Sequence, residues 1–510
     1  MTEEIEQSLN CDLLIVGFGV TGACAALEAR SEGADVLVLE RASGGGGTSA
    51  LSEGVIYLGG GTKLQRDLGI EDDVESMFRF LDATCNVSNK AVLRKFCDGS
   101  VAHFDWLEEQ GVPFARELYT DKHICPPAGP GLFGTGNEKV WPYREIAQWA
   151  YRGHLVNGPT GNAGSKLMEV LLARCIEAGV RFIGDARVLH LSRNREERVT
   201  GAAFRRHGID HSASARQGVL LATGGFQMNR RMVARDFPFL LEHGVPIGDD
   251  YSDGSGIEMA QEIGADVESI GALHATASIY PPGQLVKGII VNKLGKRFVA
   301  EDSYHGRTAA FVFDQPDRKA YLIVDSEIFA YPELAEFFRY RLIDGWDSVA
   351  EMERGLGITE RSLQKTLADY NEFAAQGRDP QFGKYPDWLK PFDNGPYAAF
   401  DLSADKVLYH YHSLGGLRVD DNARVIATTG EPIEGLYAAG SCAAGITQTA
   451  KGYASGMTLA NGSFFGRVAA RHATTGSGTV TRVDAEGVAP RVQWRLTMNR
   501  SFVPTGIDDS

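Results

Sequence analysis

Residues 451–462 read KGYASGMTLANG. They place Tyr453 two positions before Ser455, with Gly456 next and then the first turn of a predicted helix. A phenol, a serine hydroxyl and a backbone N–H at such a turn can donate hydrogen bonds to a carbonyl and hand on a proton. Taken alone, a tyrosine before a helix is more often a packing residue, and a serine there is more often an N-cap. A second group of residues gives these three a setting. GFGVTG at residues 17–22 carries Gly17, Gly19 and Gly22 in G-x-G-x-x-G spacing. The first glycine allows a tight turn, the second lets the backbone reach a pyrophosphate, and the third packs helix on strand. Glu40 follows at the distance where a carboxylate can take ribose hydroxyls.

The elements around these residues supply the required context. CDLLIV before the glycines is a buried-strand run, ACAALEARSEG after them reads as a helix ending at Gly33, and ADVLVLE is a second strand closed by Glu40. A helix N-terminus at the glycine turn offers free N–H groups and a positive dipole end to phosphates. Helical patterns fill residues 74–109, and strand-like runs return as VLLATGG (219–225) and GLYAAG (435–440). Between those two runs the texture changes from about residue 270. A strand pair is predicted at KGIIVNKLGKRFVAE, with helices at LAEFFRYRLI and ERSLQKTLADYNEFAAQ. The tail after Thr474 is polar and irregular.

Composition bounds the rest. The chain has 510 residues and a net charge of −15, which argues against nucleic acid and anionic membrane surfaces as partners. Its seven cysteines include no C-x-x-C pair, so reduced thiols are expected, with no metal site. The acidic N-terminus is no signal peptide, and no apolar run approaches the roughly 20 residues of a membrane helix. A cytoplasmic protein with no integral membrane segment is the expectation.

The remote segments ATGGF (222–226) and GLYAAGSC (435–442), with GGGGTSALSEGVIYLGGG (44–61), resemble the fumarate reductase and 3-ketosteroid dehydrogenase superfamily of flavoproteins. The resemblance runs to about residue 473. It implies an α/β fold: a Rossmann-type FAD-binding domain in two sequence segments, 1–269 and 405–510, around an inserted α+β catalytic or cap domain, 270–404. It implies non-covalent FAD held by Gly17, Gly19, Val20, Thr21, Gly22, Glu40, Arg41, Gly47, Thr48, Ser49, Ala222, Thr223, Gly224, Gly440, Ser441, Ser455, Met457 and Leu459. Ser441 stands where the family often has a glutamate.

Within the superfamily, the fumarate-reducing branch uses an arginine four residues after the glutamate of a GxRFxxE motif, and another before the last helix. Here the motif is GKRFVAE (295–301), and those two places hold His305 and Tyr453. A bidentate carboxylate fork cannot be built from these side chains. His412, in YHSLGG, matches that branch's substrate-binding histidine. AEDSY (300–304) and KGYASG (451–456) are similar instead to the 3-ketosteroid 4-dehydrogenases acting on 5α substrates, whereas the 1-dehydrogenases tend to carry YPGxG. The implied reaction moves a hydride from steroid carbon 5 to FAD and a proton from carbon 4 to a hydroxyl relay of Tyr304 and Ser455, with the ketone held by Tyr453 and the Gly456 N–H. An unassisted tyrosine is a poor base at neutral pH, and His305 and Arg307 are the candidates to help it. Arg297 and Glu301 are expected to be structural. Tyr119, Trp141 and Tyr143 are candidates for lining a steroid slot, with core packing the ordinary alternative. The alternatives are a 3-ketosteroid 1-dehydrogenase, a fumarate-reductase-like reductase of an unsaturated acid, and a flavin-binding protein without catalysis. The electron acceptor is left open.

Overall fold

The structure, a computed structural model, describes residues 8–478 apart from 125 and 128. Most of the polar tail therefore lies outside the described residues, as does Cys125. The other six cysteines are free and buried.

The first strand, β1 (Ser8–Val16), runs into the glycine turn, and α1 (Val20–Ser31) leaves it. Gly17 takes φ +102°, and a side chain there would meet the Ala222 carbonyl at 2.3 Å, so only glycine fits. At Gly22 an added Cβ would stand 2.0 Å from the Gly17 carbonyl, which is the close helix-on-strand approach expected of the third glycine. The next strand is β2 (Val36–Leu39), followed by α2 (Val74–Cys85) and α3 (Lys90–Glu109). Then come β3 (Arg181–Ile183), β4 (Arg187–Arg193), β5 (Val199–Arg206) and the long β6 (Ile209–Leu221).

Further along are β7 (Gly244–Pro246), β8 (Leu273–Thr276), β9 (Ile289–Asn292), α4 (His305–Phe313), β10 (Ala320–Asp325) and β11 (Arg341–Trp346). The chain continues with α5 (Ser362–Ala375), β12 (Tyr397–Asp401), β13 (Tyr409–Ser413), β14 (Arg424–Ile426), β15 (Pro432–Ala438) and α6 (Met457–Thr475).

The largest sheet has strand order β14-β15-β6-β1-β2-β3, with the β4–β5 hairpin joined to β6. The pairs β15–β6, β6–β1, β1–β2 and β2–β3 are parallel. Register aligns Val16 with both Leu39 and Leu221, and Leu221 with Ala438. The glycine turn, ATGG and AAG therefore leave the sheet at one carboxyl edge, where open α/β sheets bind ligands. Helix α6 packs against α1, and their contact buries an ion pair, Arg467 Nε to Glu28 Oε2 at 2.8 Å. This is a mixed α/β fold with several sheets.

A four-stranded antiparallel sheet, β9-β10-β12-β11, and a three-stranded one, β7-β13-β8, fill the middle of the chain. The three-stranded sheet draws strands from both sides of residues 270 and 404. Two sequence expectations are corrected here. KGIIVNKLGKRFVAE forms one strand, β9, whose ladder partner is β10; its own return makes only a single bridge, Val291 to Arg297. LAEFFRYRLI is helical only over Ala335–Phe338 and then becomes β11, because pairing with β12 outweighs the local helical pattern.

Arg297 and Glu301 are structural, as expected. Arg297 forks onto Glu301 (2.9 and 2.8 Å) and onto Asp379 (3.1 and 2.9 Å), all with buried side chains. Lys384 adds its ammonium 3.4 Å from Glu301. Burial pushes the Glu301 pKa up, but Arg297 and Lys384 hold it below its ordinary value.

Candidate active site

A cavity of about 700 Å³ begins at the glycine turn and ends among histidines and tyrosines. Gly17, Gly19, Val20, Thr21, Glu40, Arg41, Gly47, Thr48, Ser49, Ala222, Thr223, Gly224, Gly440, Ser441, Ser455 and Leu459 line it, as do Tyr304, His412, Tyr453 and Gly456. Two of the expected residues do not line it. Gly22, inside α1, is spent on packing that helix against the glycine turn, and Met457 is buried, with its sulfur accepting from the Thr447 hydroxyl at 2.8 Å.

At the first end, α1 opens onto the cavity with Gly19 as N-cap and no side-chain cap, leaving backbone donors to a ligand. Ser49 Oγ accepts from the Val20 N–H at 3.1 Å. Glu40 accepts from the Phe18 and Ala42 N–H groups at 2.7 and 2.8 Å, so this carboxylate also braces the glycine turn. Arg41 pairs with Asp253 at 2.7 Å, and Thr48 donates to Asp249 through both its N–H and its hydroxyl at 2.7 Å. A helix start whose N-cap is a glycine, a tight glycine turn and a long cavity fit a dinucleotide with its anionic centre at this end.

At the other end, Tyr304 is the N-cap residue of α4 and Ser455 precedes α6, and their hydroxyls lie 3.1 Å apart. The cap position of α6 belongs to Gly456, at φ +89°, with no side-chain cap. Ser455 is thus free of the helix-capping role that its sequence position suggested. A Cβ on Gly456 would sit 2.7 Å from the Tyr57 nitrogen, so this corner too requires glycine. The Tyr453 hydroxyl lies 3.0 Å from Thr458 Oγ1.

The sequence reading missed the residues that bind this group together. Asn137, fully buried, accepts from the Tyr304 N–H at 3.2 Å and donates to the Tyr453 carbonyl at 3.0 Å, so one amide ties both tyrosine segments. His274, on β8, packs its ring 4.2 Å from Tyr453 and 4.9 Å from His412, and stacks 5.8 Å from Tyr304. A side chain at Gly306 would collide with the His274 ring at 2.0 Å. Among the described residues His274 Nδ1 is buried without a hydrogen-bond partner. Nothing in the local pattern of β8, a four-residue strand, marked His274 in the sequence.

The electrostatics of this end are uniform. Burial, reinforced by His412 and His305, holds His274 well below the ordinary histidine value. Burial brings His412 down to about 4, and burial with nearby Lys122 brings His305 to about 3. All three are neutral at pH 7. Burial, and then Tyr453, pushes Tyr304 well above the usual phenol value, with Ser455 acting against that rise. Burial lifts Tyr453 to about 12 while its Thr458 contacts pull downward. The expected helpers of Tyr304 are accordingly corrected. His305 is uncharged, with Nδ1 bonded to Thr276, and Arg307 turns to the Tyr143 hydroxyl and the Lys451 carbonyl. Tyr119, Trp141 and Tyr143 do not line the cavity: Tyr143 packs on Phe80 and Trp141 is 43% exposed. Among the described residues no metal-holding cluster exists and no helix is long and apolar enough to cross a membrane.

The parallel sheet with its glycine turn, and the cavity running from it to a pocket of neutral histidines and tyrosines, fit a dinucleotide-dependent enzyme. Residues 12–457 match the FAD binding domain family, and the chain belongs to that family; its cofactor is FAD. A solved 3-ketosteroid-Δ4-(5α)-dehydrogenase from Rhodococcus jostii RHA1, in complex with 4-androstene-3,17-dione, is 37% identical, with a TM-score of 0.86 over 93% of this chain and 99% of that one. A 3-oxo-5-alpha-steroid 4-dehydrogenase of Comamonas testosteroni is 29% identical over 86% of this chain and 94% of its own length. A probable fumarate reductase of Shewanella frigidimarina is 26% identical over 90% of this chain and 74% of its own. The superfamily resemblance carried by the sequence motifs is thereby borne out, and the chain is an FAD-dependent oxidoreductase.

Acid precipitation of the purified yellow protein is expected to release FAD into the supernatant, because the binding features here are backbone donors and hydrogen-bonding side chains. Flavin that stays with the pellet would refute non-covalent binding.

Proposed function

We propose that this protein introduces a 4,5 double bond into 5α-3-ketosteroids. The observation that carries the reading is the 3.1 Å contact between the Tyr304 and Ser455 hydroxyls, in one cavity with Tyr453 and the FAD-binding segments. The similarity to two 4-dehydrogenases supports it. Bound FAD supplies the acceptor for the hydride that leaves carbon 5.

The residues of the chain account for the rest. Tyr453 and the Gly456 N–H hold and polarise the ketone at carbon 3, which acidifies the carbon 4 hydrogen. The Thr458 hydroxyl, 3.0 Å away, can donate to the Tyr453 oxygen, and in that arrangement the phenol keeps its own proton for the ketone. Tyr304 takes the carbon 4 proton. The largest electrostatic influences on Tyr304 come from Tyr453, Tyr280 and Glu53, and each of them disfavours a standing phenolate. Proton uptake by Tyr304 is therefore coupled to release of its own proton to Ser455, which hands one on to water. Asn137 fixes the spacing of the two tyrosine segments. The domain division at residues 269 and 404 is part of the same reading, with the carboxyl edge of the large sheet holding FAD and the middle sheets closing over the substrate.

Reduction of an unsaturated acid is the rival chemistry. Packing of His412 on His274 beside Tyr453 favours it. Both imidazoles are neutral, however, and the arginines lining the cavity, Arg41 and Arg187, stand at the glycine-turn end. A carboxylate would meet no cation where the chemistry occurs.

The test is anaerobic mixing with a 5α-3-ketosteroid deuterated at carbon 5. The expected outcome is slowed flavin bleaching, loss of the label and a 4-ene-3-one product. Retained label with a double bond between carbons 1 and 2 would assign the protein to 1-dehydrogenation. Bleaching by a saturated acid, or return of the yellow colour when an unsaturated acid meets the reduced protein, with no response to steroids, would favour the rival.

A further inference from the structure

Beyond Tyr453 the cavity continues into a region with no role in the reaction described above. Strand β13 carries His412 and, two residues earlier on the same face, His410, about 7 Å further along. The facing strand β8 sets His274 opposite His412 and Thr276 opposite His410. The His410 ring lies 4.3 Å from Phe337 and 5.4 Å from Phe338, and both phenylalanines line the cavity with Leu334. This end is thus an apolar slot with a polar floor.

Among the described residues two groups of the floor lack a hydrogen-bond partner, the His410 ring and the buried His305 Nε2. The Thr276 hydroxyl is bonded to His305 Nδ1, and His305 Nε2 is sealed from solvent. Among the described residues the His410 ring makes no hydrogen bond, and it faces the cavity. Burial takes its pKa down to about 4, so at pH 7 the ring is neutral and offers one donor and one acceptor. An all-hydrocarbon ligand end would strand this imidazole, whereas an oxygen would satisfy it.

We propose that His410 is a specificity-determining residue that hydrogen-bonds an oxygen at the far end of the substrate, selecting 3-ketosteroids that carry a ketone or hydroxyl on the ring opposite the reacting one. The proposal rests on the steroid reading above, with the 3-ketone anchored at Tyr453 and the ring system running along β13 to the Phe337–Phe338 slot.

The test compares the FAD-loaded protein on 5α-androstane-3,17-dione and on 5α-androstan-3-one, which lacks the distal oxygen. Wild type is expected to favour the dione by about tenfold in kcat/KM, mostly through KM. His410→Leu should remove that preference while leaving kcat on 5α-androstan-3-one unchanged. His410→Gln, whose amide donates and accepts, should keep part of it. Equal kcat/KM for the two steroids in wild type overturns the proposal without any variant. A preference that survives His410→Leu overturns it as well. If wild type bleaches with neither steroid, the steroid reading and the subsite fall together; if it turns over both without preference, only the subsite falls.

Discussion

Tyr453→Phe is expected to lower turnover by about 100-fold to 1,000-fold while bound FAD remains at wild-type level, the usual cost of losing one preorganised donor to a developing oxyanion. The aromatic ring stays, so the packing against His274 and His412 is kept and only the hydroxyl is lost. Among the described residues the hydroxyl meets only Thr458, which leaves chemistry as its principal use. Thr458→Val offers a graded companion: it removes the side-chain contact that draws the phenol pKa down, and it should reduce turnover by a smaller factor. Single-turnover rates of flavin bleaching would measure both. A Tyr453→Phe enzyme within a few-fold of wild type would remove this residue from ketone polarisation.

Arg297→Met should cost about 3–5 kcal/mol of stability, the range seen when one partner of a buried ion pair is deleted. The loss is large because one guanidinium serves two carboxylates at once. Without it, Glu301 and Asp379 are left buried with only the Lys384 ammonium nearby. Arg297→Lys should fall between wild type and Met, since an ammonium cannot reproduce two bidentate forks. Denaturant unfolding of the FAD-loaded protein would read both variants. A Met variant as stable as wild type would show that the network adds nothing net.

The parts of the site that were legible in the sequence are those fixed by backbone demands. Gly17 and Gly22 announce themselves because close approach of chain segments admits no side chain, and the strands beside them are short apolar runs. Tyr453, Ser455 and Tyr304 were visible through their motifs, and the structure brings all three into one cavity. His274 and Asn137 were invisible for a physical reason. Each reaches the site through tertiary pairing, β8 on β13 and residue 137 against residues 304 and 453, and no local spacing encodes such contacts. The failed helix at residues 334–343 has a similar cause: its second half is an edge strand whose partner lies more than fifty residues away. Helper residues for Tyr304 were misjudged because charge depends on burial, which one sequence does not state. His305 was available by position and is neutral by environment.

The buried pair of Glu28 and Arg467 joins residues 439 positions apart, and β15, which completes one flank of β6, is nearly as remote from β1. A ribosome working at about 5–20 residues per second needs roughly 20–90 s to travel from one member of that pair to the other. Throughout that interval α1 carries a carboxylate whose guanidinium has not been made, and from residue 221 to residue 432 the nascent chain also carries an unpaired edge on β6. Such long-range closure slows folding and exposes strands to aggregation. The protein should therefore acquire its flavin only after the last helix is made, since that helix brings both the final cavity wall and the counter-charge for the first.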